Sequence, residues 1–334
     1  MRQQRGNIQL CLRGVALYSR AAGTWTYLTM SQTRRALTRG LFVGPLACAV
    51  GGVLRPAVSA AQGMQRAAPD FRAQVIQAQA SMPSGNVRGR RATERTLERL
   101  DELGVDFTAS RLILVNIPAA EVIAYEGGRE VLRSRAVVGA GRTPTPQLLT
   151  FVTSVRTNPP WHVPSSIVAE IRASGAVGFQ AVGNRLIQPP GPNNPLGPLR
   201  VGLLDSDGIF LHGTNRPRLF EREGRALSHG CIRVERIHDL SAWVLDVPAA
   251  DVQVAAATGR TMELYAPQEV QVVLAYLTAW PDSMGRMTIH PDPYGLDAAS
   301  ARQVRVRRVM RSTPDDPLEV EAAARATLEA ASRM

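Results

Sequence analysis

Four short runs of β-branched and other apolar residues follow one another in the middle of the chain, and they constrain its fold more than any other feature. Turns containing Pro or Gly separate the runs, and the third run follows Glu126-Gly127-Gly128-Arg129, which is typical of a hairpin connection. The runs predict strands at 111–117, 121–125, 130–138 and 147–156.

Later apolar stretches predict more strands, and helical periodicity is limited to a few segments. We predict strands at 200–204 and 209–212, one strand or a pair of strands at 269–280, and the arm of a final hairpin at 285–290. Helices are predicted at 71–80, 91–103, 165–173 and 236–245. Ser165 or Ser166 is expected to cap the third helix. The stretch 186–199, rich in Pro, Gly and Asn, predicts a loop. Strands and helices do not alternate as in a parallel α/β protein, so we predict a β-rich α+β fold.

The chain has 39 basic and 28 acidic residues, for a formal net charge of +11. A charge of this size indicates nucleic-acid binding when it is clustered on a folded domain. Here eight Arg residues lie within residues 1–60, which contain neither Asp nor Glu, so residues 61–334 carry only +3. The sequence therefore does not favour a nucleic-acid partner.

The N-terminal segment has the three parts of an export signal. A basic region with three Arg precedes an apolar run at 40–54, and small residues then predict cleavage after Ala60. The apolar run is shorter than the ~20 residues that a membrane-spanning helix needs. We expect translation to start at Met30 and the product to reach the periplasm or cell envelope. Residues 33–37 resemble a twin-arginine signal, and an ordinary basic signal is the alternative.

Cysteine usage becomes informative once this signal is removed. The three cysteines are at positions 11, 48 and 231, and the first two lie in or before the predicted signal. Cys231 would then be the only thiol, and it cannot form an intramolecular disulfide. Such a thiol is either an inert buried residue or a reactive group. Its neighbours His229 and Gly230 favour a reactive group.

A second histidine, His212, ends a predicted strand seventeen residues before His229. A thiol attacks a carbonyl as a thiolate, so it needs a proton acceptor, and His212 has that role if its strand lies beside Cys231. A backbone carbonyl such as that of Gly213 could fix the histidine tautomer. The N–H groups of Gly230 and Cys231 are expected to form an oxyanion hole, and His229 to line the same pocket.

The same side chains allow a second interpretation, a zinc site formed by His212, His229 and Cys231. The sequence contains no C-x-x-C ligand pair, and His229 and Cys231 need a bend between them to reach one metal. Thiol chemistry is therefore favoured, and neither a metal nor another cofactor is predicted. The lone histidines at positions 162, 238 and 290 are predicted to be structural.

The segment His212-Gly213-Thr214, a spacer, and Ser228-His229-Gly230-Cys231-Ile232-Arg233 together resemble the signature of L,D-transpeptidases with a YkuD-type catalytic domain. Further matches resemble the long periplasmic branch of Gram-negative bacteria; they lie at 115–118, 158–161, 191–197, 219–222 and 276–279. The implied organisation is an N-terminal extension and export signal at 1–60, a linker at 61–94, an L,D-transpeptidase catalytic domain at 95–298 and a charged tail at 299–334.

The resemblance implies a cysteine acyltransferase that acts on peptidoglycan stem peptides. Cys231 would attack the bond between diaminopimelate and the terminal D-Ala of a tetrapeptide, with His212 as the base. The thioester would pass to an amine, giving a 3→3 cross-link or attachment to an envelope lipoprotein. Acylation of Cys231 by carbapenems is the corresponding expectation. An L,D-carboxypeptidase and a non-catalytic wall-binding protein that keeps the fold are the alternatives.

The resemblance also places Arg233, Ser228, Phe210 and Trp161 at the substrate site. Arg233 suits a stem-peptide carboxylate, because a guanidinium binds carboxylates bidentately; a loop-bracing ion pair is the alternative. Phe210 stands where this branch often has Tyr. The segment between Trp161 and Pro189 is short beside the substrate-capping insertion of that branch, so a smaller lid is expected.

Overall fold

The computed structural model describes residues 70–183, 185–301 and 306–310, together with short strands between residues 10 and 26. The chain forms two compact units, Met1–Arg66 and Ala67–Met334. In the first unit, β1 (Leu10–Cys11) pairs with β2 (Ala16–Leu17), and β3 (Ser19–Ala21) pairs with β4 (Thr24–Thr26), both antiparallel.

Two predicted segments lie outside the described residues. They are the export signal at 33–60 and most of the charged tail, at 302–305 and 311–334.

A β-sheet that closes on itself forms the centre of the second unit. Eight strands form the ring: β5 (Arg111–Asn116), β6 (Glu121–Glu126), β7 (Arg129–Gly139), β8 (Leu148–Thr157), β12 (Leu199–Leu203), β13 (Leu211–His212), β15 (Ile232–Val234) and β17 (Gln271–Ala275). They follow the order β12-β13-β15-β7-β6-β5-β17-β8, and β8 also pairs with β12. The predicted β-rich α+β class is confirmed, and every end of the first four strands lies within one residue of its prediction.

Shorter strands extend this sheet and form two small ones. β14 (Ala226–Ser228) pairs with β7, whereas β16 (Met262–Leu264) and β20 (Arg307–Arg308) pair with β8. β18 (Ala279–Pro281) and β19 (Met287–Ile289) form the predicted final hairpin. β9 (Trp161–His162), β10 (Gln180–Val182) and β11 (Arg185–Gln188) form a separate three-stranded sheet.

This small sheet corrects two predictions. Residues 186–199 were expected to be loop throughout, but β11 continues to Gln188 because it pairs with both β9 and β10. Between β9 and β10 the chain forms a 3-10 turn at Ser165–Ile167 and α3 (Val168–Ala173). Neither Ser165 nor Ser166 caps α3, because the 3-10 turn occupies their positions and α3 begins with no side-chain cap.

Side-chain caps set the start of the two helices that precede the barrel. The side chain of Asp70 accepts a hydrogen bond from Ala73 N at 2.9 Å and begins α1 (Phe71–Ala80). Asn86 accepts from Gly89 N at 2.9 Å, so α2 (Val87–Leu103) begins four residues before the predicted start at Arg91. Two further helices, α4 (Ile237–Leu245) and α5 (Ala249–Ala257), follow the Cys231 segment.

The barrel wall is buried on both faces. All six residues of β5 are buried, and the four apolar ones alternate between two hydrophobic clusters. Ile113 and Val115 point into the barrel interior, where α4 also packs, while Leu112 and Leu114 point outward. The outer cluster is covered by α1 and α2 and includes Phe71, Leu100, Leu103, Tyr125 and Trp280.

A buried arginine fastens α2 to the C-terminal part of the unit. The Arg99 guanidinium donates to the Tyr276 carbonyl at 2.9 Å, to the Asp297 carboxylate at 2.8 Å and to the Leu296 carbonyl at 2.9 Å. It also lies 5.0 Å from the centre of the Tyr276 ring. Paired and hydrogen-bonded in this way, the buried charge is compensated.

Within the described residues, no helix has both the length and the apolar composition required to cross a membrane.

We predict that Phe71→Ala lowers the free energy of unfolding by about 3 kcal/mol, because the ring stacks on Trp280 at 4.5 Å and its loss leaves a cavity. Urea denaturation measures this change. Ile76→Ala on the same helix is the control, since Ile76 is 46% exposed; it is expected to change stability by less than about 0.5 kcal/mol. Equal, small effects would contradict the packing of α1 on the barrel.

Candidate active site

The two halves of the sequence motif meet because β13 and β15 are parallel neighbours. Leu211 pairs with Ile232 and His212 pairs with Arg233, and Ile232 N donates to the Phe210 carbonyl at 2.9 Å. Leu211 and Ile232 are fully buried in the barrel interior. Alternation along the strands therefore directs His212 and Arg233, with the preceding Phe210 and Cys231, to the opposite face.

His212 is held as a neutral base. The side chain is 4% exposed, and Nδ1 lies 2.7 Å from the Gly213 carbonyl, as anticipated from the sequence. A carbonyl only accepts hydrogen bonds, so Nδ1 carries the proton and Nε2 keeps its lone pair. Burial lowers the pKa of His212 to about 4, and the nearby cations Arg233 and Arg200 act in the same direction. The imidazole is thus uncharged at neutral pH.

Cys231 lies directly before β15 and is half-buried. Burial raises the pKa of its thiol, and the Phe210 amide together with Arg233 and Arg200 opposes that rise. The Sγ donates to the Gly208 carbonyl at 3.5 Å. The site therefore contains a neutral thiol and a neutral imidazole rather than a preformed ion pair, so any attack by the sulfur would require its proton to move first or at the same time.

The turn before Cys231 is fixed by Ser228. Its Oγ accepts from Gly230 N at 3.1 Å and donates to the Cys231 carbonyl at 2.6 Å. Gly230 has a φ of 113°, a conformation that L side chains rarely adopt, and an added Cβ would lie 3.1 Å from Ile209 Cδ1. Because Ser228 occupies the Gly230 amide, the expected pair of oxyanion donors is wrong for Gly230, and the Cys231 amide remains as the candidate donor.

A second loop, residues 139–145, supports this turn from behind. Ala140 N and Thr143 Oγ1 donate to the Ser228 carbonyl at 2.8 Å and 2.9 Å. Thr145 Oγ1 donates to the Gly230 carbonyl at 2.7 Å and accepts from Gly139 N at 2.9 Å. The backbone on both sides of His229 is therefore anchored to one neighbouring loop.

Tyr294 fixes that loop in turn. Its hydroxyl accepts from Thr145 N at 3.1 Å and donates to the Gly139 carbonyl at 2.7 Å. Its ring stacks on Tyr276 with the centroids 5.2 Å apart. Neither Thr145 nor Tyr294 was predicted from the sequence. Tyr294 follows Thr145 by 149 residues, and no local pattern reports such a contact.

His229 faces the small sheet region rather than His212. Its Nε2 lies 3.4 Å from the Glu170 carboxylate on α3, and the two side chains are 49% and 66% exposed. A contact between two side chains this exposed contributes little to stability. Glu170 thus contacts the segment around Cys231, a contact that the sequence did not predict.

The remaining predicted substrate residues lie in different surroundings. Phe210 lies under Arg200, whose Cζ is 4.5 Å from the ring centroid. Trp161 belongs to β9 in the small sheet, and its ring is 6.0 Å from that of Phe179. The buried Nε of the Arg233 side chain has no hydrogen-bond partner, and no described carboxylate forms an ion pair with its guanidinium, so the described residues offer no bracing ion pair for it.

The zinc interpretation has no support in the described part of the chain. No group of three or more His, Cys, Asp or Glu side chains there is arranged to hold a metal ion. The Nε2 of His229 points to Glu170, and the Nδ1 of His212 is engaged by its own backbone.

Comparison with known proteins assigns this arrangement to a family. Residues 110–263 match YkuD, the L,D-transpeptidase catalytic domain. Residues 110–263 form a YkuD-type catalytic domain. The resemblance to L,D-transpeptidases with a YkuD-type catalytic domain is therefore confirmed, and the closed sheet, His212 and Cys231 all lie in or beside the matched range.

Two curated relatives and one solved structure illustrate the similarity. A protein described as "Putative L,D-transpeptidase" from Haemophilus influenzae Rd is 27% identical over 217 residues, which cover 55% of this chain and 44% of the relative. "Probable L,D-transpeptidase YcfS" from Escherichia coli K12 is 32% identical over 126 residues, covering 36% and 37%. An L,D-transpeptidase structure from Mycobacterium smegmatis is 16% identical with a TM-score of 0.30, covering 49% and 58%. The chain spans less than half the length of either curated relative.

The low pKa of His212 has a consequence for stability. The unfolded chain binds a proton on this histidine below pH 6.5, whereas the folded chain binds it only below about pH 4. Stability from this group is present above pH 6.5 and is lost as the pH falls to about 4, by about 3 kcal/mol. We predict that His212→Gln flattens this part of the pH dependence measured by urea denaturation. An unchanged slope would show that His212 is protonated in the folded state.

Thr145 allows the support of the turn to be tested. Thr145→Val keeps the shape but removes the hydroxyl that bonds Gly139 and Gly230, so we predict a fall in the rate of Cys231 acylation of about tenfold or more. The loss of stability should be about 1–2 kcal/mol. The control is Thr153→Val, an exposed threonine on β8. A lower melting temperature with an unchanged acylation rate would show that Thr145 supports only the fold.

Proposed function

We propose that this protein is a peptidoglycan L,D-transpeptidase that uses Cys231 as its nucleophile. The observation that carries the proposal is the placement of Cys231 and the neutral His212 on one face of adjacent parallel strands within a YkuD domain. The donor is a stem tetrapeptide, and the bond that breaks joins diaminopimelate to the terminal D-Ala.

In the first half-reaction, Sγ of Cys231 attacks the scissile carbonyl while its proton passes to Nε2 of His212. The Cys231 amide is the candidate donor to the oxyanion of the tetrahedral intermediate. When the C–N bond breaks, His212 returns the proton to the nitrogen of the departing D-Ala. A thioester between Cys231 and the diaminopimelate carbonyl remains.

In the second half-reaction, an amine attacks the thioester and the proton again passes through His212. The side-chain amine of a second diaminopimelate gives a 3→3 cross-link, and the lysine of an envelope lipoprotein is another acceptor of the same chemistry. Water in place of the amine would make the protein an L,D-carboxypeptidase.

The proposed place of action is the periplasm, where this substrate is exposed. The basic, apolar and small-residue sequence pattern that ends at Ala60 supports export. It also agrees with a mature protein whose only cysteine is the nucleophile, since no second thiol is then available to form a disulfide with it.

We expect the purified protein to release D-Ala from a tetrapeptide muropeptide and to form dimers, with both activities reduced at least 10³-fold in Cys231→Ala, because the nucleophile is lost. Chromatography and mass spectrometry measure both products. Tripeptide monomers without dimers would favour the carboxypeptidase. If the wild-type protein released no D-Ala although its melting temperature matched that of Cys231→Ala, the result would favour the non-catalytic wall-binding protein.

A carbapenem should acylate the same sulfur, because its strained carbonyl is open to attack by an activated thiol. The mass of the wild-type protein should rise by one carbapenem, and that of Cys231→Ala should not change. Reaction of Cys231 with iodoacetamide but not with the carbapenem would contradict an acyl-transfer site.

A further inference from the structure

A row of charged side chains crosses the barrel strands and ends beside the nucleophile. In the sheet register Glu263 pairs with Arg156, Arg156 pairs with Arg200, Arg200 pairs with His212, and His212 pairs with Arg233. Side chains of directly paired residues point to the same face of a sheet. The row therefore lies on the face that carries Cys231.

Positive charge along this row is not balanced by the protein itself. Glu263 is the carboxylate of the row; it bonds Arg156 and Ser154, and its Oε1 lies 3.9 Å from Arg200 Nη2. One carboxylate thus serves Arg156 and, at longer range, Arg200. Arg233 has no ion-pair partner among the described residues.

Two of these guanidinium groups also contain unsatisfied donors. The Nε atoms of Arg200 and Arg233 are buried and bond to no described atom. The side chain of Arg200 is only 16% exposed. Buried charged donors without acceptors are costly, so such groups usually serve a ligand that supplies the acceptors.

Arg200 is directed toward the nucleophile by Phe210. Its Cζ lies 4.5 Å from the centre of the Phe210 ring, a cation–π distance. Phe210 precedes the pair Leu211–Ile232, so it lies beside Cys231 in the parallel register. The stacking therefore holds the guanidinium of Arg200 on the Cys231 side of His212. Arg233 lies on the same face of the sheet, two residues after Cys231.

We propose that Arg200, together with Arg233, binds the C-terminal carboxylate of the donor peptide. This inference rests on the proposed function. The carboxylate of the departing D-Ala is separated from the scissile carbonyl by a single residue, so it lies near the guanidinium groups when that carbonyl is at Cys231. Two fork-shaped guanidinium groups can satisfy the oxygens of one carboxylate. Arg200 would then make the enzyme selective for donor peptides that end in a free carboxylate.

The test compares a tetrapeptide donor with its C-terminal carboxamide, using the full-length protein and its Arg200→Gln variant. We expect Arg200→Gln to raise the KM for the free acid about tenfold or more, the range for a lost charge-assisted hydrogen bond, and to change the KM for the carboxamide less than twofold. Arg200→Lys should restore part of the preference, because it keeps the charge without the fork. Arg129→Gln is the control for general attraction, since Arg129 is exposed at the start of β7, away from the Cys231 end of that strand, and should leave both KM values unchanged.

Other outcomes would overturn the proposal. Equal effects of Arg200→Gln on both donors would indicate a structural or field effect. A preference that changes only when the diaminopimelate carboxylate is amidated would assign Arg200 to that group instead. If the wild-type protein released D-Ala from neither donor, the proposed function itself would fail. If it released D-Ala from both donors without preferring the free acid to the carboxamide, only the role of Arg200 would fail. Stoichiometric alkylation of Cys231 by iodoacetamide and an unchanged melting temperature establish that each variant is folded.

Discussion

The parallel pairing of β13 with β15 is the interaction on which the site depends. Each strand contributes only two residues to this pairing, so its own hydrogen bonds are few. Its stability comes from its neighbours: β12 flanks β13, β7 flanks β15, and Leu211 and Ile232 are fully buried between them. The closed sheet thus imposes the relative position of His212 and Cys231, which neither short strand could maintain alone.

The same pairing explains the electrostatics of the site. His212 lies between Arg200 and Arg233 in the register, and burial and these two cations all disfavour a third positive charge. The cations also stabilise a developing thiolate at Cys231. One arrangement of charges therefore keeps the His212 imidazole unprotonated and favours an anionic Cys231, without a carboxylate partner for the histidine among the described residues.

The sequence predicted those parts of the molecule that depend on local patterns. Alternation and turns between Arg111 and Thr157 gave the central strands, and the His212 and Cys231 motif gave the reacting groups. Support that comes from distant residues had no local signal, as with Tyr294 behind Thr145 and Arg200 beside His212. The Gly230 amide was assigned wrongly because Ser228, two residues away, binds it in the folded turn. Helix α5 was missed because its Ala-rich sequence has little amphipathic pattern.

The position of β17 in the ring determines when the barrel can form. This strand lies between β5 and β8, and it pairs Gln271 with Leu112 across most of the domain's length. Until the ribosome has produced β17, β5 and β8 have no partner along the edges that β17 later occupies. The sheet therefore cannot yet close. Pairings so distant along the chain pay a large loop-closure entropy and form slowly. Cys231 is therefore synthesised before the strand that closes the barrel, and the arrangement of His212 and Cys231 is complete only once the whole domain has folded.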